Sequence, residues 1–236
     1  MTAAADPLAD RLAALETGLV SDVLDEAGMP VHALSPSLLA LIPGARMAGR
    51  AACVSGEAFL STGHAAPALP GDALEQVAGA GTVLVIGAGG FMAGACIGGF
   101  VAYSLQRGGC RGVVTDGAIR DADEIRGLGF PVICAAVTPV NGARRWRLIR
   151  RDAPVQLPGL AGSTVAARPG DLILADGDGT IVLPAELAEQ VIADAEELQR
   201  IERRIAEGLR AGGARADVFK ANPRFAHIRR PQSGAG

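Results

Sequence analysis

Lysine is nearly absent from this chain of 236 residues: Lys220 is the single lysine among 22 basic residues, and it lies in a tail-like segment near Pro223 and Pro231. Carbonyl chemistry through a lysine imine, or a pyridoxal phosphate linkage, would have to use that one residue, which disfavours both. Histidine is scarce too: His32, His64 and His227 are scattered, which argues against a tri-histidine metal site. His64 follows a Ser-Thr-Gly loop and reads as an ordinary polar residue. Cysteines Cys53, Cys96, Cys110 and Cys134 stand far apart in apolar contexts with no C-x-x-C pair. They read as reduced core residues and not as a disulfide framework or zinc site. No G-x-S-x-G is present, which counts against a serine hydrolase.

Strong charge of either sign is also missing. A net charge of −3 gives no global attraction to nucleic acid or to an anionic membrane. The local cluster Arg144, Arg145, Arg147, Arg150 and Arg151 has only Trp146 for base stacking and reads as a solvated strand edge. Met1 to Leu12 lacks a basic segment followed by an apolar run, so no secretory signal is expected and the default location is cytoplasmic. The uncharged stretch from Gly81 to Gln106 is long enough to span a bilayer, but seven glycines interrupt it and it opens on the β-type run Thr82-Val83-Leu84-Val85-Ile86. A strand, a glycine loop and a buried helix describe it better than a membrane span.

What is there is an apolar chain, 49% hydrophobic, that suffices for one α/β domain over residues 1–210 followed by a loose C-terminal arm, 211–236. Two short helices are expected over Asp6 to Gly28, the second opened by Ser21 as N-cap and stopped by Gly28. Strands are expected at Gly49–Ser55, Thr82–Ile86, Arg111–Thr115, Val132–Ala135, Trp146–Ile149, Ser163–Ala166, Asp171–Ala175 and Thr180–Leu183. Helices are expected at Ala73–Ala78, Phe100–Gln106 and Asp121–Leu128, with one long amphipathic helix from Pro184 to Gly208. On that helix Glu196, Glu197 and Glu202 are read as solvated-face charge.

The most informative segment is Gly112-Val113-Val114-Thr115-Asp116-Gly117-Ala118-Ile119-Arg120-Asp121, where a buried strand runs into a tight turn that presents an arginine beside an aspartate. Arg120 offers a fixed fork of donors for a carboxylate or enolate, and Asp121 a hard oxygen for Mg²⁺ or Mn²⁺. Asp116, in a sharp D-G turn, reads as structural. Gly98 and Gly99 open the first glycine-free apolar run, so the amides of Gly99, Phe100, Val101 and Ala102 would form an anion site at a helix N-terminus. Dinucleotide binding at Gly87-Ala88-Gly89-Gly90-Phe91-Met92 is the rival reading; Met92 replaces the third glycine, and Gly94, Gly98 and Gly99 would break the helix that should follow.

Together with Ser21-Asp22-Val23-Leu24-Asp25, Gly98-Gly99-Phe100, Pro169-Gly170-Asp171-Leu172-Ile173 and Asp176-Gly177-Asp178-Gly179-Thr180, this segment resembles the family that joins 4-hydroxy-4-methyl-2-oxoglutarate aldolases with the regulator of ribonuclease activity A. The resemblance covers most of the chain. It implies an α/β fold of the swivelling β/β/α type with a long C-terminal helix, assembled as homotrimers or homohexamers with sites near subunit interfaces. It also implies a metal-dependent pyruvate aldolase or oxaloacetate decarboxylase acting on a small 2-oxo acid, with no nucleic acid or membrane partner. Carried onto this chain, Arg120 would bind the keto and carboxylate oxygens and stabilise the enolate, Asp121 would hold Mg²⁺ partly through water, and the amides from Gly99 to Ala102 would take the pyruvyl carboxylate.

One departure stands out. Family aldolases tend to carry an acidic residue directly after the first glycine of the Gly98 motif, to position a water for proton transfer, and this chain has Gly99. Retro-aldol cleavage needs a base, whereas decarboxylation mainly needs enolate stabilisation, so Gly99 predicts that decarboxylation survives better. The competing class is a non-enzymatic regulator that binds a ribonuclease or similar partner. Asp121 favours the enzyme, because the regulator branch lacks this carboxylate.

Overall fold

Val83, Leu84, Val85 and Ile86 are all fully buried, and a strand apolar on both faces needs neighbours on both edges and cover on both sides. The computed structural model, which describes residues 6–58, 69–70 and 72–230, supplies them. His64 lies outside the described residues. In chain order the elements are α1 (Pro7–Ala13), α2 (Thr17–Glu26), β1 (Leu39–Ala40), β2 (Met47–Ala58), α3 (Ala73–Val77), β3 (Thr82–Gly87), β4 (Ala95–Ile97), α4 (Gly99–Arg107), β5 (Gly112–Thr115), β6 (Ala118–Ile119) and α5 (Ala122–Gly127). Then follow β7 (Val132–Cys134), β8 (Ala136–Val137), β9 (Trp146–Arg151), β10 (Val155–Pro158), β11 (Thr164–Ala167), β12 (Leu172–Ala175), β13 (Thr180–Leu183), α6 (Ala188–Arg210) and α7 (Arg215–Ala221).

The main sheet runs β1-β7-β5-β3-β2-β12-β13, parallel from β7 to β2 and antiparallel at both ends. Its organiser is β2, whose 12 residues pair with β3 along one edge. The other edge is shared, β12 taking the first part and β9 the last, with a bulge at Ser55/Gly56 between the two β9 registers. That division lets the sheet curl. One face carries α3, α4 and α5 over Leu84, Ile86, Val113 and Phe130. The opposite face is covered by the β10–β11 hairpin over Cys53, Val83, Val85 and Val114. Helices α1, α2 and α6 close the β12–β13 end over Leu172, Leu174 and Leu183. A separate three-stranded parallel sheet, β4-β6-β8, stands beside the main one.

Most expected elements appear within a residue or two, but both ends of the chain correct the sequence reading. Helix α2 starts at Thr17, not at Ser21, which is interior to it. Its terminus is capped from far along the chain: Asp176 accepts from the Thr17 amide (2.8 Å) and the Thr17 hydroxyl (2.7 Å). No local pattern announces a cap 159 residues away. Helix α6 runs through Gly208 to Arg210, because Val218 of α7 packs so closely that a Cβ at position 208 would lie 3.0 Å from its Cγ1.

The expected loose arm is docked as far as residue 230. Phe225 and Ile228 pack on the core under α2 and α6. Arg224 pairs with Asp22 at 2.6 Å and also with Glu202, and His227 Nε2 lies 3.0 Å from the Asp194 carbonyl. The basic cluster sits on and just before β9, where Arg147 pairs with Glu57 and Arg151 bonds Gln76. Lys220 is exposed on α7. Among the described residues no helix is long and apolar enough to cross a membrane.

The Thr17–Asp176 contact gives a pH-dependent prediction. Burial pushes the Asp176 carboxyl up, but the hydrogen bonds from Thr17 and from the Asp178 amide outweigh it and hold the group below its usual 3.8. A depressed carboxyl stabilises the fold above that value, and the contribution is lost as the pH falls through the lower native one. Asp176→Asn is expected to cost about 1–2 kcal/mol at pH 7, a fall of roughly 2–8 °C in Tm. Thermal melts at decreasing pH should show the gap to wild type closing below 3.8. A constant gap would assign the effect to packing.

Candidate active site

Strands β4 and β6 are adjacent and parallel, with Ala95 opposite Ala118 and Ile97 opposite Ile119. The residues that leave their carboxyl ends must therefore meet: Gly98 and Gly99 after β4, Arg120 and Asp121 after β6. The Arg120 amide donates to the Ile97 carbonyl (3.1 Å), which continues the pairing one step past the strand. A Cβ on Gly98 would lie 2.6 Å from Asp121 Oδ2 and 2.9 Å from Arg120 Nε, so glycine is required here by close approach.

Asp121 has φ 57° and ψ 40°, in the left-handed region, which Asp and Asn tolerate better than other side chains. The helix expected from this residue begins here: Asp121 is the N-cap of α5 and its carbonyl accepts from the Ile125 amide (3.0 Å), but its carboxylate makes no cap and turns back toward α4. Oδ2 accepts from the Gly99 amide (3.0 Å) and lies 3.3 Å from Arg120 Nε. Oδ1 has no partner among the described residues. Both side chains are about one-third exposed, which leaves the remaining Arg120 donors and Asp121 Oδ1 open to a ligand.

The predicted amide cradle narrows on inspection. The Gly99 N–H is taken by Asp121, and the Ala102 N–H closes the first helical bond on the Gly98 carbonyl (3.0 Å). Phe100 and Val101 keep amides with no partner among the described residues, at the positive end of α4. Gly98, Val101 and Arg120 face a cavity of about 370 Å³ with Cys96, Trp146 and Arg147. A larger cavity, about 520 Å³, lies between Thr17, Leu38 and Asp178, but its buried acid, Asp176, is saturated by Thr17 and Asp178.

Asp116 has the structural role expected of it. Buried, it accepts from the amides of Ala88 (2.5 Å) and Gly90 (2.8 Å), pinning the glycine loop in which Gly89 and Gly90 both have positive φ. Gly117 is required by crowding, since a Cβ there would lie 2.7 Å from that of Ala88. Trp146 Nε1 donates to the Ala88 carbonyl from the other side. The Ala88 and Gly90 amides of this loop are thus turned to Asp116. Cys96 borders the site, but burial and then the nearby Asp116 charge push its thiol up to about 12, so it is no nucleophile. His32 and His227 belong to neither element that builds the site.

Sequence reasoning missed Glu124. Its carboxylate lies against Gly99: a Cβ built there would meet Glu124 Oε2 at 2.1 Å and Cδ at 2.4 Å. The signal was only a three-residue spacing from Asp121 on a short helix.

A 4-hydroxy-4-methyl-2-oxoglutarate aldolase from Thermus thermophilus is 36% identical over 106 residues, 45% of this chain and 61% of that one. A Paraburkholderia phytofirmans protein that bears the same name provisionally is 35% identical over 151 residues, 64% of this chain and 88% of its own. Among solved structures, Streptomyces coelicolor RraAS2, described as an unusual member of the RNase ES inhibitor RraA protein family, superposes with a TM-score of 0.72 at 30% identity, over 84% of this chain and 96% of that one. The family model described as Aldolase/RraA, RraA-like, matches residues 17–182, and this chain belongs to that family.

Proposed function

We propose that this protein is a divalent-metal-dependent carbon–carbon lyase that generates a pyruvate enolate, by aldol cleavage of 4-hydroxy-4-methyl-2-oxoglutarate or a similar 4-hydroxy-2-oxo acid, by decarboxylation of oxaloacetate, or both. The observation that carries this reading is the convergence of Arg120, Asp121 and the free amides of Phe100 and Val101 at the ends of two paired strands. Such a set takes a 2-oxo carboxylate: the amides and the dipole of α4 receive the carboxylate, and the Arg120 fork receives the keto oxygen as it becomes an enolate. The names of the relatives support the same chemistry.

The donor set fits a hard cation. Among the described residues no group of three or more His, Cys, Asp or Glu converges to cage a metal, so thiolate or histidine sites are not offered. Asp121 presents one unpartnered oxygen while its other is locked in place, which suits Mg²⁺ or Mn²⁺ held by one carboxylate, waters and substrate. When bound, the cation supplies Lewis-acid polarisation of the 2-oxo group. Asp121 would hold it, Arg120 would neutralise the charge that develops on the enolate oxygen, and Gly98 leaves room for both. With Lys220 out on α7, an imine route has no residue to use.

Phe100 at 84% exposure, with Tyr103 and Met92 also exposed, places apolar surface around the site, which supports assembly as a homotrimer or homohexamer with sites near the interfaces. A regulator that binds a ribonuclease is the alternative reading, favoured by the RraAS2 likeness.

Pyruvate release from oxaloacetate and from 4-hydroxy-4-methyl-2-oxoglutarate, with Mg²⁺ or with chelator, tests the proposal. Chelator is expected to abolish release. Arg120→Ala and Asp121→Ala should each cut kcat/KM by about 10²–10³-fold, and Asp121→Asn, which keeps the left-handed backbone, should be as inactive as the alanine variant. No release from either substrate by a folded oligomer would favour the regulator.

Gly98→Ala offers a geometric check. Its methyl group would displace Asp121 Oδ2 and Arg120 Nε, and a displacement near 1 Å is expected to lower kcat by about 10²-fold. Thermal denaturation should show little change in Tm, because the side chains that must move are about one-third exposed.

A further inference from the structure

Two carboxylates roof the Gly98-Gly99 pair. Asp121 Oδ2 stands where a side chain on Gly98 would begin, and Glu124 Oε2, Cδ and Oε1 fill the same space over Gly99, at 2.1, 2.4 and 2.9 Å from an ideal Cβ. The first carboxylate is engaged by the Gly99 amide and Arg120. The second has no hydrogen bond or ion pair among the described residues, although Arg126 lies on the same helix. Arg126 is turned to Asp123 (2.7 Å) and to the Leu41 carbonyl instead. Glu124 is thus an unpaired, solvent-exposed carboxylate set against Gly99, the first residue of α4.

The remaining titratable groups are unsuited to move a proton here. Asp123 is paired and 98% exposed, burial pushes the Cys96 thiol up to about 12, and Asp121 has one oxygen engaged by Gly99 and Arg120 and the other assigned to the cation. Resting on the lyase reading above, we infer that Glu124 supplies from α5 the carboxylate that position 99 lacks, and serves as the water-positioning base for aldol cleavage. The proton of the C4 hydroxyl passes through a water to Glu124. The C3–C4 bond breaks, its electron pair enters the 2-oxo group as an enolate, and C4 leaves as a ketone. The proton then returns from Glu124 through water to C3, which gives pyruvate. Decarboxylation of oxaloacetate reaches the same enolate by loss of CO₂ and has no hydroxyl proton to remove. The assignment reverses the expectation drawn from Gly99 alone: this chain retains aldol cleavage.

The test compares both substrates, with Mg²⁺ supplied, for wild type, Glu124→Gln and the double variant Gly99→Asp/Glu124→Ala. Glu124→Gln is expected to lower kcat for aldol cleavage by about 10²–10⁴-fold, to change KM little, and to depress the ratio of cleavage to decarboxylation by about 10²-fold or more. The double variant, which moves the carboxylate from α5 to α4, should restore most of that ratio. The role of Glu124 is overturned if Glu124→Gln lowers both reactions together, if it lowers neither, or if wild type decarboxylates oxaloacetate without cleaving the hydroxy acid. In that last case the lyase reading stands while the Glu124 assignment fails; release from neither substrate overturns both.

Discussion

The site depends on the parallel pairing of β4 with β6, and that pairing depends on Asp116. Strands of three and two residues cannot hold their own register. They are held because the Asp116 carboxylate ties the incoming loop at Ala88 and Gly90, and because the Ala118 amide then bonds the Phe91 carbonyl (3.0 Å). The residue that follows β5 thus fixes where β4 begins. Loss of that staple would leave Gly98 and Arg120 with no common frame, although neither touches it.

The glycines around this frame act mainly through closeness. At Gly98, Gly99 and Gly117 any side chain would collide with a carboxylate, a sulfur or a neighbouring methyl group. Charged side chains and backbone amides are brought within hydrogen-bonding distance because the backbone there carries nothing else. The electrostatics follow from the same compactness: a guanidinium, two carboxylates and a helix N-terminus lie close together, and the Asp121 carboxylate is oriented by both the Gly99 amide and Arg120.

Much of this was legible in the sequence, for identifiable reasons. Buried strands such as β3 and β5 declare themselves through uninterrupted β-branched runs, and Arg120 and Asp121 through a turn that has no packing reason to carry two charges. What could not be read was non-local. Thr17 is capped by Asp176, the C-terminal arm is fastened by Arg224 to Asp22 and Glu202, and Glu124 reaches back to Gly99, each across a separation that no periodicity encodes. The helix N-terminus meets the same limit: it announces its donors, but not that Asp121 takes one of them.

The left-handed backbone at Asp121 also bears on how such a chain can change over time. Aspartate, asparagine and glycine are the residues that sit there cheaply, and of these only aspartate is charged. A one-base codon change to asparagine would keep the loop, the strand pairing and the outer surface while removing the carboxylate proposed to hold a cation. In this architecture, shape and chemistry are inherited separately, and a scaffold that has lost its reaction is still intact to be recruited as a binding surface.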